Sequence, residues 1–200
     1  FGGSNVTTAG QGNGTGNTNI TIDSMSATVG GNIYGGSNGL SNSGYLTGIT
    51  NITVNAGTLT NIYGSGNNAG NSGNTNITIN NGTVSGKIVG GAYKAQTGGT
   101  ANITIVGGIV SGNIFGGNEN TTQTELDNDS IEQNAVITIG TTDETILTIP
   151  TINGIIYGSG IYDAVGTTTI QLIEAQNTIT AVYGGSNANA ETTEANITLN

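Results

Sequence analysis

The sequence contains no cysteine, no histidine and no arginine, and it has a single proline, Pro150, in 200 residues. Without cysteine there is no disulfide, no thiolate nucleophile and no sulfur ligand for zinc. Without histidine the usual imidazole base and metal ligand are missing too. Lys87 and Lys94 are the only cations against twelve acids, which gives a net charge of -10. Such a chain is repelled by nucleic acid and by anionic lipid, so neither is expected as a partner. No apolar run approaches the roughly 20 residues that a membrane-spanning helix needs, so no membrane insertion is expected. The chain opens on Phe1, with neither an initiator Met nor a signal peptide, as expected of a processed protein or of a piece of a longer one.

Gly (36), Asn (29) and Thr (34) make up half of the chain. Gly and Asn disfavour helix interiors, whereas Thr suits a pleated surface, so an all-β protein is expected. Disorder is the other reading of so polar a composition. Charged residues are only 7%, however, and Ile, Val, Leu and the aromatics recur in register.

That recurrence is a repeat. An aromatic followed by Gly and a small residue opens successive units at Phe1, Tyr34, Tyr63, Phe115, Tyr157 and Tyr183, with Val89 substituting once. The units are 1–33, 34–62, 63–88, 89–114, 115–156, 157–182 and the partial 183–200, and three of them are 26 residues long. Each continues through a polar stretch, an Asn-Ile-Thr-Ile strand, a Gly turn and a second apolar strand. Alternation puts Ile77, Ile79, Ile103 and Ile105 on one face, with Asn76, Thr78, Asn102 and Thr104 on the other. After the turn Val84, Ile88, Val110 and Ile114 resume the apolar side.

One unit cannot bury its own apolar face. Stacking units about 4.8 Å apart places Ile over Ile and builds a continuous narrow core. The expected fold is therefore a right-handed parallel β-helix (β-solenoid) of about seven rungs of roughly 26 residues. A flattened two-sheet solenoid is the structural alternative, while a β-propeller would need blades of about 40 residues with four antiparallel strands. Residues 1–200 read as one solenoid domain or a segment of a longer solenoid, with 118–134 as an acidic loop insertion.

The stacked Asn-Ile-Thr-Ile strands, the Gly turns and the Ile-Tyr-Gly-Gly closings resemble the right-handed parallel β-helix class of surface proteins: adhesins, autotransporter passengers and filamentous haemagglutinin-like repeats. The resemblance covers nearly the whole chain and implies secretion and a rod-like role at the cell surface, without identifying a ligand.

Several columns are candidate sites. Asn19, Asn51, Asn76, Asn102 and Asn196 share one position, where stacked amides would form a rung-to-rung ladder. The same positions are Asn-x-Thr sequons, but glycans about 4.8 Å apart would crowd one another. The loop sequons at Asn5, Asn13 and Asn120 are sterically easier acceptors. The neighbouring column, Thr21, Thr53, Thr78, Thr104, Thr138 and Thr198, admits ice binding through regular hydroxyl rows. The plainer reading is Thr as an outward strand residue, because Val136 and Gln171 break the face. The opener column, Tyr34, Tyr63, Phe115, Tyr157 and Tyr183, directly follows an inward Ile, so strict alternation points it outward as a binding or assembly surface. A corner would instead turn it inward as stacked core.

Five acids fall in 118–134, namely Glu119, Glu125, Asp127, Asp129 and Glu132. Asp127, Asp129 and Glu132 are candidate oxygen ligands for Ca²⁺, the only cofactor the chain suggests; a solvated acidic loop is the alternative. Glycoside hydrolysis needs paired carboxylates with one shifted by burial, and a polysaccharide lyase needs a base and cations that this chain lacks, so no enzyme is expected. The expected function is structural: an extracellular or cell-surface filament, rod or adhesin shaft that self-associates end to end. A carbohydrate- or surface-binding module working through the Tyr column is the alternative.

Overall fold

The computed structural model describes residues 1–3, 13–39, 45–119, 133–146, 148–161, 165–173, 179–188 and 192–200. These residues form an all-β structure without a helix, and every paired strand is parallel to its neighbour. There are two sheets, an arrangement consistent with a β-solenoid. The first orders β1 (Thr18–Ile22), β3 (Thr50–Val54), β5 (Thr75–Ile79), β8 (Thr100–Ile105), β11 (Gln133–Ile139), β14 (Val165–Leu172) and β16 (Thr192–Leu199) side by side. The second holds β2 (Thr28–Tyr34), β4 (Thr58–Tyr63), β6 (Thr83–Val84), β7 (Ile88–Val89), β9 (Ile109–Val110), β10 (Ile114–Phe115), β12 (Thr151–Ile152), β13 (Ile155–Tyr157) and β15 (Ala181–Tyr183).

The side-chain period of two fixes the register. Ile20, Ile52, Ile77, Ile103, Ile137, Ile170 and Ile197 pair in one unbroken line across the first sheet. In the second sheet Ile33, Ile62, Ile88, Ile114, Ile156 and Val182 form a facing line. Both lines contribute to the principal core, in which Ile79, Ile88, Ile103 and Ile137 are fully buried. A one-residue slip would carry a whole Ile line to the outer face. At about 1.5–3 kcal/mol for each fully buried side chain of this size, the core strongly favours the observed pairing.

The corner between the first strand and the second is a glycine at positive φ: Gly57 (96°), Gly82 (97°) and Gly108 (81°). L side chains rarely adopt this conformation, which is why the Asn-Ile-Thr-Ile strand is followed by a Gly turn.

In several repeats the apolar stretch after the Gly turn supplies two short strands rather than one. In the early repeats they run together, as the seven residues of β2 and the six of β4, and from β6 onward they separate. Leu59 and Ile62 of β4 pair with Val84 and Ile88, which lie one residue further apart. The extra position is absorbed at Ser85-Gly86, and there a Cβ on Gly86 would strike the Asn61 amide oxygen.

Candidate functional site: the aromatic column and its ionic clasp

Alternation points Tyr63 away from Ile62, and the structure keeps that direction: the two belong to different clusters. The ring is nonetheless only 2% exposed. Tyr34, Tyr63, Val89, Phe115 and Tyr157 form a second core on the far side of the strand, with Tyr93, Ile155 and Ile161 packed against it. Within it Phe1 stacks on Tyr34 at 5.0 Å and Tyr34 on Tyr63 at 4.9 Å. Further along, Phe115 stacks on Tyr157 at 5.0 Å and Tyr157 on Tyr183 at 5.3 Å, the two rings of all four pairs being nearly parallel. A ring face at each of the five predicted positions is therefore taken up by another ring; four of the five are buried, and Tyr183, 51% exposed, is the outlier.

The Gly after each opener makes this packing possible. A Cβ on Gly35, Gly64, Gly90, Gly116 or Gly158 would overlap the carbonyl oxygen of the equivalent glycine one repeat further on. The first residue of the Asn-Ile-Thr-Ile strand leans against the same glycines. Thr18, Thr50 and Thr75 donate their hydroxyls to the carbonyls of Gly35, Gly64 and Gly90 at 2.5, 2.5 and 2.6 Å. Ala replaces Thr at positions 101 and 135, where the methyl faces Gly90 and Gly116.

Val89 interrupts the ring stack, and a polar cluster gathers at the interruption. Tyr93 sets its ring edge-on to Tyr63 at 5.6 Å, and Lys94 places its ammonium 5.4 Å from the Tyr93 ring centre. Tyr63 donates its phenol hydrogen to Glu119 Oε2 at 2.6 Å, and Lys87 Nζ pairs with Glu119 Oε1 at 2.5 Å. Both cations of the chain thus converge on one place. Glu119, expected among the solvated loop acids, is instead 8% exposed, because the Lys87 ammonium and the Tyr63 hydroxyl supply both of its oxygens with a donor. Burial, reinforced by the bond to the Glu119 carboxylate, holds the Tyr63 phenol far above its ordinary range. Burial also raises that of Tyr34, partly opposed by the Asn32 amide donating to its oxygen. The cluster is a closed electrostatic clasp rather than an open cleft. Through Tyr63 and Lys87 it ties the beginning of the 118–134 insertion back to the 63–88 repeat.

The Asn column is a ladder over part of its length. Asn51 donates to Asn19 at 3.0 Å, Asn76 to Asn51 at 2.8 Å and Asn102 to Asn76 at 2.9 Å. Val136 and Thr169 occupy the next two positions, so Asn196 is outside the ladder and donates to Glu194 at 3.2 Å instead. Shorter ladders that the sequence reading missed link Asn80 to Asn55 and Asn55 to Asp23, Asn61 to Asn32, and Asn67 to Asn38. Their signal was available: each Asn recurs at one repeat position.

Asn13 is exposed and accepts the Tyr45 amide hydrogen at 2.9 Å. Asn5 and Asn120, the other loop sequons, lie outside the described residues, as do Asp127, Asp129 and Glu132. Among the described residues no group of three or more acids is arranged to hold a metal ion. Comparison with known proteins finds no matching family model, no matching curated protein and no matching solved structure.

Proposed function

We propose that the chain is an extracellular structural element, a right-handed parallel β-helix of about seven rungs of roughly 26 residues serving as a filament, rod or adhesin shaft. The observation that carries this reading is the continuity of the side-chain columns from repeat to repeat along the whole first sheet. In β16, Asn196, Ile197, Thr198 and Leu199 repeat the order of β1 (Asn19, Ile20, Thr21, Ile22), and β16 pairs along one flank, with β14. Leu199 is 74% exposed, and Tyr183 ends the ring stack uncovered. An added strand with the same pattern, from this chain or from another copy, would cover both. Unpaired parallel edges with apolar columns are adhesive, and a head-to-tail contact that does not close gives a fibre.

Electron microscopy and sedimentation velocity over a range of concentrations test the proposal. Elongated species that lengthen with concentration are expected, and Leu199→Lys should shorten them. A compact monomer at every concentration would refute axial stacking. The acidic insertion is then an appendage of the rod. Any Ca²⁺ bound there is expected to leave the β signal unchanged when a chelator removes it.

A further inference from the structure

The chain has four Asn-Gly pairs in its described parts, at Asn13, Asn38, Asn81 and Asn153. At such pairs the glycine amide nitrogen, unshielded by a side chain, can reach the preceding carboxamide. Three of the four are held back. Gly14 donates its N–H to the Tyr45 carbonyl at 2.9 Å, while Tyr45 in turn donates to Asn13 Oδ1 at 2.9 Å. Gly39 donates to the Asn67 carbonyl at 3.0 Å, and Asn38 Oδ1 is occupied by the Asn67 amide at 2.9 Å. Gly154 is buried, and a Cβ added to it would overlap the Gly112 carbonyl, so its backbone is closely packed against the neighbouring repeat.

Asn81 differs in where the N–H of its glycine points. Its side chain is exposed, at the rim of an open groove shared with Met25 and Asn55. Gly82 donates its N–H to Asn81's own Oδ1 at 2.8 Å, not across the sheet, so the nitrogen already lies against the carbonyl it would attack. We propose that Asn81 is a site of spontaneous deamidation. The Gly82 nitrogen gives its proton to hydroxide or a buffer base and bonds to Asn81 Cγ. The Cγ–Nδ2 bond then breaks, and ammonia leaves with a proton from water. Water opens the resulting five-membered imide at either carbonyl, giving aspartate or isoaspartate at position 81. The net change is one water consumed and one ammonia released, with no oxidant or cofactor.

The product matters because both flanks of the turn are pinned. Asn80 donates its amide to the Val54 carbonyl at 2.8 Å, and Thr83 donates to the Gly57 carbonyl at 2.9 Å. Isoaspartate lengthens the backbone between these anchors by one methylene and adds a negative charge, so it loosens the corner between β5 and β6. The modification is therefore an ageing mark at one defined corner of the fold.

The test is peptide mass mapping of the intact chain aged in mildly alkaline buffer, beside the same chain unfolded in urea. Each event adds about 1 Da and can be typed by enzymatic methylation of isoaspartate. In the folded chain the Asn81 peptide is expected to gain mass several-fold faster than the other three, whereas in urea the four rates converge. Asn81→Ser should keep the β signal and abolish the gain at this peptide. Equal rates at all four pairs in the folded chain would overturn the proposal. So would an unmodified Asn81 over a period in which the unfolded chain reacts.

Discussion

Gly90→Ala is the sharpest perturbation of the interface between the two cores. The added methyl would overlap the Gly116 carbonyl oxygen and sit 2.8 Å from the Ala101 Cβ. The first is backbone and the second a side chain with no rotamer to adjust, so relief requires the strands themselves to part. Parting them strains two bonds that hold this level together: Gly90 N–H to the Phe115 carbonyl at 2.8 Å, and the Thr75 hydroxyl to the Gly90 carbonyl at 2.6 Å. Overpacking contributes about 1–3 kcal/mol, and two weakened hydrogen bonds about 0.5–1.5 kcal/mol each, so the expected loss is about 2–6 kcal/mol. That is a large fraction of the roughly 5–15 kcal/mol by which domains are stable. Gly30→Ala is the matched control, because nothing lies within 4 Å of a Cβ there and its φ is not positive. It should be neutral or stabilising by up to about 1 kcal/mol through the unfolded chain. Urea unfolding followed by circular dichroism measures both. Equal midpoints for the two variants would refute the claim that the aromatic-Gly pairs exist for close backbone approach.

Four other perturbations separate the parts of the structure. Val110→Asp should lose several kcal/mol by burying an unpaired charge, and Thr104→Ser should be nearly silent; equal melting temperatures would contradict the assigned faces. Asn76→Ala removes two ladder bonds and should lower stability by about 1–2 kcal/mol, while Asn196→Ala should change urea unfolding by less than about 0.5 kcal/mol. Lys87→Met leaves Glu119 buried without its counter-charge and should cost up to about 3 kcal/mol, the lysine being partly reached by solvent; adding Glu119→Gln should recover part of that loss in a double-mutant cycle. The raised Tyr63 pKa gives stability that is full below the unfolded phenol's value near 10 and is lost as pH rises from there toward the folded value. Tyr63→Phe should therefore be less stable than the parent at neutral pH, and its deficit should narrow in alkaline urea titrations; a pH-independent deficit would contradict this.

The principal core was legible because its cause is local. An inward Ile every second residue, repeated at a fixed spacing, specifies both the face and the neighbour, and the Ile line from Ile20 to Ile197 follows it without a break. The Asn ladder was legible for the same reason, and its break at Val136 is written in the same column. The aromatic column was legible only in direction. Alternation turns Tyr63 away from Ile62, but whether that side is wet depends on Tyr93, thirty residues on, and on Glu119, which lies 56 residues away. Periodicity carries no information about such distant cover. Glu119 was grouped with its acidic neighbours in sequence, although its partner cation sits 32 positions upstream.

One local signal did bear on the cover. A ring meant for solvent needs no particular residue after it, yet every aromatic opener here is followed by Gly, at positions 2, 35, 64, 116, 158 and 184. A Cβ at any of the first five would meet the carbonyl of the next glycine in line, and at Gly184 it would meet the Ala195 methyl at 2.5 Å. The strands are thus drawn together at the one point where both cores meet. That close approach leaves the rings stacked about 5 Å apart, a spacing at which each ring covers its neighbour's face. Where the opener is Val89 the Gly persists while the ring does not, and there Tyr93 packs edge-on to Tyr63, whose hydroxyl is bonded to a carboxylate with its own cation. The glycine column, not the rings, is therefore the constant element of the second core, and the chemistry lodged beside it varies from repeat to repeat.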